Sequence, residues 1–557
     1  MTNKNIIIAI VLSLAVMLIY PPLLKKFYPQ SQAPETSATA GKEAEVKPVA
    51  GPQANAAAAF SGKAAPATQP LKEVLTVVET PFFKAIFTNI GGGIKKWELK
   101  KFRESQTPNA RVVSINGATR QDATFTTRFR PAGAKETTEL VFQLKGLGPL
   151  RRSSPIEGVK PPSGKDLNIA GNQSAELVFV ANTKDGLRIE KKYVFSGSSY
   201  RVSSEVSIIG AKAVSGSIET LLSASFDAGE DAAHYHTGPV IQTKDKLLRQ
   251  DLSKEPLQTG GGEFKWLGLE SKYFLEVFIP LKGVNPKTPA AVSWTTQGSG
   301  SGGSKAALQT QIELRPNEKA VYAYDIFIGP KEYDLLLAQK NGLEEAIEFG
   351  WFSFMAKPLL VVLNFFERYL GNYGIAIVII TVIIKIIFYP LTKHSMKSMK
   401  EMQLLQPQMA ALREKYKSDK QKMNKEVMDL YKRYKINPVS GCLPMILQIP
   451  VFIALYEVLY VAIELRHAPL FLWIADLSAK DPYYVTPVLM GITMFIQQKM
   501  TPTSMDPTQA KIMLIMPVIF TFMFLNFPAG LVVYWLINNV LSIAQQYNIH
   551  KTTAAKA

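Results

Sequence analysis

One lysine stands inside an otherwise apolar run. Gly371 to Lys393 reads GNYGIAIVIITVIIKIIFYPLTK, with Lys385 in its interior. A charge at the centre of a membrane helix costs roughly 2.5–3.5 kcal/mol on insertion scales, so such a residue is a functional candidate by default. Other apolar runs carry polar groups at a matching level. At about 1.5 Å per helical residue, Lys385 lies about 12 Å from the basic end of its run. Gln448 and Thr493 lie about 9 Å in, and Asn538 and Asn539 about 9–10 Å in, each counted from the same side. Glu457 falls about 22 Å in, too far outward to neutralise the lysine. These residue types pair no nucleophile with a base. What they can do is hold water, because a cation without a partner is not tolerated in hydrocarbon. The expectation is a hydrated notch open to one side of a membrane. The blander alternatives are a lysine that snorkels to the headgroups and amides that serve as interhelical glue.

Signatures of covalent or metal chemistry are weak elsewhere. No Ser-His-Asp, H-E-x-x-H, Walker or G-x-G-x-x-G arrangement stands in a convincing context. His234 and His236, near Asp227, Glu230 and Asp231, lack a third defined ligand and read as a polar loop. The single cysteine, Cys442, excludes an intramolecular disulfide and a C-x-x-C site. No catalytic residue, metal or cofactor is expected.

The elements that must position the polar layer follow from hydropathy. Of 557 residues, 47% are hydrophobic and 19% charged, a balance that leans toward the membrane. Lys4 precedes IIIAIVLSLAVMLIYPPLL without a small-x-small cleavage site, so residues 1–29 are predicted to be an uncleaved signal anchor. Residues 30–71, rich in Ala, Pro, Gly, Gln and Lys, bury too little to fold and read as a disordered tether. Residues 72–335 switch to period two: Tyr200, Val202, Ser204, Val206 and Ile208 alternate with polar neighbours, as do Leu308, Thr310, Ile312 and Leu314. Gly-rich punctuation between such runs predicts a large antiparallel β sandwich. Within it Trp266 to Pro280, WLGLESKYFLEVFIP, reads as one buried strand. Residues 336–370, broken at Lys357-Pro358, read as an amphipathic helix lying in the membrane interface. Spans follow at 374–391, 442–463, 483–500, 511–527 and 529–546, six with the anchor, each near the ~20 residues a bilayer requires. Residues 371–547 form the multi-span core and 548–557 a short tail.

Charge sets the orientation. Loop 391–440 holds twelve Lys and Arg against five acids, whereas loop 464–482 holds two against three. The positive-inside rule places the first in the cytosol and the second outside. Both termini are then cytosolic and the β domain extracytoplasmic. The net charge of +18 would usually raise nucleic acid as a partner, but its densest block lies beside the spans, so no DNA partner is expected. Within 391–440, Met402, Leu405, Met409 and Leu412 share one helical face, and Met423, Val427, Leu430 and Tyr434 another. That pattern predicts a cytosolic helical hairpin, closed by Asn437-Pro438. Its basic outer face, including Lys415, Lys417, Lys420 and Lys422, is free for partners.

The motifs GNYGIAIVIIT…YPLTK, LQPQMAALREKYKSDKQKMNKEVMDLYK, NPVSGCLPMILQIPVFIALY, ELRHAPLFLWIADLSAKDPYY and FPAGLVVYW resemble those of the YidC membrane-protein insertases. FGWFSFMAKPLL and WLGLESKYFLEVFIP are similar to the family's bacterial long form. The resemblance implies a periplasmic β-supersandwich, residence in the inner membrane, and a hydrophilic groove for nascent membrane proteins. It places Thr381, Tyr534 and Trp535 on the groove's substrate side. It implies that the hairpin meets the ribosome and the signal recognition particle pathway, and that the protein works with the Sec translocon, partly as a chaperone. The family usually carries Arg where Lys385 stands. The positive charge survives, but the planar fork for bidentate carboxylate contact does not.

Two rivals remain open on the residues alone. A small-molecule or ion transporter would show internal repeats and a midplane site. A sugar-acting enzyme would need paired carboxylates at a cleft of the β domain.

Overall fold

The computed structural model describes residues 73–554 apart from 108, 117–121, 135, 150–165, 184, 226–234, 250–257, 261–263, 282–290, 298–302, 435, 437–442 and 502–506. The expected anchor (1–29), the tether (30–71), Cys442, His234, Asp227, Glu230 and Asp231 lie outside the described residues.

Strands run from Leu75 to Pro330 in two sheets packed face to face. One sheet has its long centre in the pair Val214–Ser225 and Gly303–Leu314. The other is built around Lys319–Pro330, flanked by Arg201–Gly210 and Phe274–Pro280. Among the described strands, pairing is antiparallel except for Leu75–Glu79 beside Asp166–Asn168. The period-two reading of 200–208 holds up to Val206: Val202, Ser204, Val206 and Ile208 are buried in Arg201–Gly210 and Ser203 and Glu205 point outward, but Ser207 is buried as well. The single strand expected over Trp266 to Pro280 is a hairpin, Phe264–Glu270 and Phe274–Pro280. Ser271 closes it: its hydroxyl accepts from the Phe274 N–H at 3.2 Å, and its own N–H donates to the Phe274 carbonyl at 2.9 Å. Continuous apolarity reflects two adjacent strands buried on both faces, which period alone cannot separate.

After Pro330 the chain turns helical in stages. Helix α1 (Tyr333–Leu337) and a 3₁₀ turn (Leu343–Ala346) precede α2 (Ser353–Leu370). The long interfacial helix expected from 336 thus begins only at Ser353, because Gly342 and Gly350 adopt left-handed φ of 78° and 62°. Helix α2 runs unbroken through Pro358, which costs it one backbone hydrogen bond. It buries Ala356, Leu360, Leu363 and Asn364 and exposes Phe354, Val361, Phe365 and Tyr369. Then come α3 (Tyr373–Leu404), α4 (Gln406–Lys415), α5 (Lys420–Arg433), α6 (Leu443–Val461), α7 (Val485–Met500), α8 (Pro507–Phe524) and α9 (Ala529–Ala554).

Helix α3 does not end with the span expected at 374–391 but continues through Pro390 to Leu404. Its 32 residues extend about 48 Å, well beyond a hydrocarbon core of ~30 Å. Among the described residues it is the one helix long and apolar enough by itself to cross a membrane; Gln448–Val461 and Met513–Phe524 are apolar but shorter. The outer surfaces of these helices are greasy all the same. Ile386 and Ile387 are about two-thirds exposed, and Ile446, Ile492, Ile515, Val518 and Phe522 are exposed too. A soluble protein rarely leaves so large an apolar surface uncovered.

Helices α4 and α5 pack as a hairpin around Leu405, Met409, Leu430, Tyr431 and Ile436. Tyr434, expected in that seam, is half exposed, and its hydroxyl accepts from Gln408 at 3.3 Å. The β domain is fastened to the helical region at the end of α6. The Tyr333 N–H donates to Glu464 Oε1 at 2.8 Å, Gln106 to the Ala475 carbonyl at 2.6 Å, and Arg466 to the Glu104 carbonyl at 3.0 Å.

Candidate functional site

The start of α3 is fixed first. Asn372 caps it by accepting from the Ile375 N–H at 3.0 Å, and its amide donates to the Leu470 carbonyl at 2.7 Å. Gly374 lies so close to Leu470 that a Cβ there would come within 2.1 Å of its Cδ1. Gly530, at the start of α9, approaches Leu459 of α6 and Ile377 of α3 in the same manner. Small residues at crossings let apolar helices meet closely where hydrophobic association is unavailable.

With those crossings set, polar side chains from α3, α6, α7 and α9 converge. Lys385 Nζ donates to Ser542 Oγ at 2.7 Å. Ser542 Oγ in turn donates to the Asn538 carbonyl at 2.8 Å. Gln448 Nε2 donates to Asn538 Oδ1 at 2.6 Å and reaches the Tyr534 hydroxyl at 3.4 Å. One connected network therefore runs Lys385–Ser542–Asn538–Gln448–Tyr534. Asn539, one residue on, faces the other way and donates to Thr493 Oγ1 at 3.3 Å. Tyr534, Asn538, Asn539 and Ser542 are buried, whereas Lys385, Gln448 and Thr493 are half-buried.

The residues placed at matching depth by sequence, Lys385, Gln448, Thr493, Asn538 and Asn539, make contacts with one another or through Ser542, and Tyr534, named by the resemblance, joins them through Gln448. Two expected members do not join. Thr381 is buried, and its hydroxyl is spent on the Ile377 carbonyl of its own helix at 2.7 Å. Trp535 turns into an aromatic seam, 4.8 Å from Phe452 and 5.3 Å from Phe524 between ring centroids. Two residues were missed: Ser542, and Gln546, which donates to Thr501 at 3.2 Å. Their signal was the four-residue step 534, 538, 542, 546, which puts all four on one face of α9.

Among the described residues no carboxylate lies within ion-pair distance of Lys385. Its ammonium has one hydroxyl partner and two further donor protons. The site can hold water or accept an anionic group, and no cluster of metal ligands stands among the described residues. On the α4–α5 hairpin, Lys415, Lys417 and Lys422 are exposed; the side chain of Lys420 lies outside the described residues. In the β domain, His236 is held by the Pro239 carbonyl at 2.9 Å.

Comparison with known proteins follows the same division. The profile of the 60Kd inner membrane protein family matches residues 365–556, and that of the YidC periplasmic domain matches residues 75–362. The membrane protein insertase YidC of Syntrophus aciditrophicus is 42% identical over 566 residues, spanning 99% of each chain. That of Geotalea daltonii is 41% identical over 570 residues, spanning 99% of this chain and 100% of its own. A crystal structure of an active YidC insertase with the first transmembrane domain resolved aligns over 86% of this chain and 93% of that one, at 20% identity and a TM-score of 0.37. Matched from the first β strand to the last helix by two profiles of one family, and over nearly its whole length by relatives above 40% identity, the chain belongs to the YidC family of membrane-protein insertases.

Proposed function

We propose that this chain inserts nascent proteins into the bacterial inner membrane and helps them fold, alone or beside the Sec translocon. The work needs neither covalent chemistry nor a cofactor. The observation that carries the proposal is Lys385: a cation in an apolar helix, half-buried, bonded to a single serine and facing a buried amide network. A substrate's extracytoplasmic segment must cross hydrocarbon. Water held at the Lys385 layer shortens that path, and the ammonium draws acidic residues into it. The substrate's apolar helix leaves along the exposed isoleucine face. The membrane potential contributes about 2.3 kcal/mol per elementary charge per 100 mV.

On this reading the chain has six spans, with both termini and the α4–α5 hairpin in the cytosol and the β domain in the periplasm. Helix α2 lies in the outer interface, its exposed aromatics in the headgroup region. The hairpin lysines 415, 417, 420 and 422 meet the ribosome and the signal recognition particle pathway. The test is a photocrosslinker at position 385 in membranes programmed with ribosome-bound nascent chains. Adducts to hydrophilic segments of the nascent chain are expected. Adducts to lipid alone, together with a cysteine at 385 sealed from polar thiol reagents, would overturn the reading.

A further inference from the structure

A cavity of about 270 Å³ lies where the β domain meets the helical region, far along α3 from Lys385. Lys101 and Arg103 line it from the β domain, Glu332 from the exit of the last strand, Tyr373 from the first turn of α3, and Glu464 and Arg466 from the segment after α6.

Its charges are not closed on one another. Lys101 Nζ sits 4.4 Å from the Phe82 ring centroid and has no carboxylate within 4.0 Å among the described residues. Arg103 donates to the Ala110 carbonyl and Arg466 to the Glu104 carbonyl, both neutral acceptors. The Glu332 carboxylate makes no hydrogen bond or ion pair among the described residues, and Glu464 uses only Oε1, leaving Oε2 without a partner. Three cations, His467 and two carboxylates thus line one space with no ion pair among them, although Lys101 is near enough to offset part of the burial of Glu332. Half-buried carboxylates left so are costly, and a ligand bearing both signs would relieve them.

We infer that this cavity binds a group carrying a phosphate and a primary ammonium: the phosphate against Lys101, Arg103 and Arg466, the ammonium against Glu332 and Glu464. Burial lifts Glu464 to about 7, helped by Glu332 and Asp334, and burial also raises Glu332. Both shifts measure a cost that an ammonium would cancel. A purely anionic ligand would leave the acids unmet, and a quaternary ammonium could not donate to them.

The position favours the ethanolamine headgroup of a phospholipid as the source. Tyr373 opens the apolar run of α3; exposed Tyr369 and Leu370 end the helix just before it, and exposed Phe471 and Leu472 follow Leu470, which packs on Gly374. This assignment rests on the membrane orientation proposed above.

The test uses the full-length chain in detergent, examined by native mass spectrometry with acyl-matched phospholipids bearing ethanolamine, choline or glycerol headgroups. Soluble phosphoethanolamine serves as competitor. Ethanolamine lipid should be retained about tenfold better than the other two. The E332Q/E464Q variant keeps an amide oxygen at position 464 to accept from the Tyr333 N–H, and it should lose that preference. K101Q/R103Q, altered at exposed residues, should weaken retention of the ethanolamine lipid. Equal retention of the three lipids, or a preference surviving both variants, would overturn the inference. Stoichiometric binding of phosphoethanolamine with no lipid retained would overturn the lipid as source while upholding the chemistry. Insertion measured on the same preparations separates the two readings. Active protein without lipid preference sinks only this one; lipid preference without insertion sinks only the function proposed above.

Discussion

Two lysines, one in each half of the molecule, sit away from bulk solvent without a carboxylate. Lys191, in the β domain, is fully buried; its ammonium donates to the Phe125 carbonyl and, at 2.9 Å, to Thr127 Oγ1, and lies 5.3 Å from the Tyr193 ring centroid. Lys385, among the helices, is half-buried and has one serine. The sandwich supplies Lys191 with fixed partners on several sides, so the side chain is part of the packing. The helical region leaves Lys385 two donor protons to spend elsewhere. The residue type is the same, but the depth of burial and the number of protein partners are not. What separates the two lysines is whether the protein itself completes the coordination.

The largest expected effect tests the closed member of the pair. Lys191→Ala removes a buried stem and orphans a carbonyl and a hydroxyl, and should lower β-domain stability by about 3–5 kcal/mol in chemical denaturation of the full chain. Lys191→Met keeps the volume and should cost about 1–3 kcal/mol, the penalty for the unmet acceptors. A methionine variant as stable as the parent would mean that the cation is a burden the fold tolerates.

Acidity sharpens the same point. Burial lowers Lys191 from 10.5 to about 7, and burial raises Glu276 from 4.5 to about 8 against the hydrogen bond from Thr124. Between pH 4.5 and 8 the unfolded chain has released the Glu276 proton while the folded chain keeps it, so stability falls as pH rises. Between pH 7 and 10.5 the unfolded chain holds the Lys191 proton that the folded chain has lost, so stability rises with pH. The β-domain transition should therefore pass through a minimum near pH 7–8. Glu276→Gln should flatten the limb between pH 5 and 7 and leave the upper limb in place. A parent protein whose melting temperature is level across pH 5–9 would contradict both assignments.

At the open member, the effect falls on activity. Lys385→Arg should keep insertion within about twofold in proteoliposomes, and Lys385→Glu should lose at least about tenfold for substrates with acidic translocated segments, equivalent to ~1.4 kcal/mol. Ser542→Ala, which removes only the lysine's protein partner, should stay within about twofold of the parent. If Ser542→Ala were as damaging as Lys385→Glu, Lys385 would belong with Lys191 as a packed group.

How far these two sites could be read in advance differs for a physical reason. In an apolar helix a polar residue is an anomaly, and counting from the basic end is enough to level Lys385, Gln448, Thr493 and Asn538. Ser542 escaped because it lies only four residues before the end of the span expected at 529–546, where serine is unremarkable, although its four-residue offset from Asn538 marked it. In a sandwich, polar and apolar residues alternate anyway. Lys191 sits in LRIEKKYVFS in step with Leu187, Ile189, Tyr193 and Phe195, so alternation sets it on the inward face; the adjoining Lys192 masks it, and only the packing of the opposite sheet shows that Phe125 and Thr127 meet it. The same holds for Glu276 in FLEVFIP, buried on a strand that itself was fused with its neighbour in the sequence reading. Distant strand packing fixes which groups meet a buried charge across the core, and one sequence does not carry that.

The smallest expected effect lies at the seam between the two halves. Lys272, on the turn that splits the fused strand, sits 4.5 Å from the Tyr235 ring centroid, 4.8 Å from Tyr273 and 4.3 Å from Tyr460 at the end of α6. Tyr235 and Tyr460 lie 4.8 Å apart, so the cation stands among rings drawn from both domains. Contacts of this kind contribute about 0.5–2 kcal/mol, more when desolvated. Lys272→Ala should therefore speed amide hydrogen exchange over residues 456–466 a few-fold and leave both domains folded, while Lys272→Arg, which also stacks on aromatic faces, should restore protection. If exchange there does not change, the bonds of Glu464, Arg466 and Gln106 hold the seam without help. In that case the β domain is joined to the helices by side chains bonded to backbone groups, the same device that holds Lys191 on Phe125 and that Lys385 lacks.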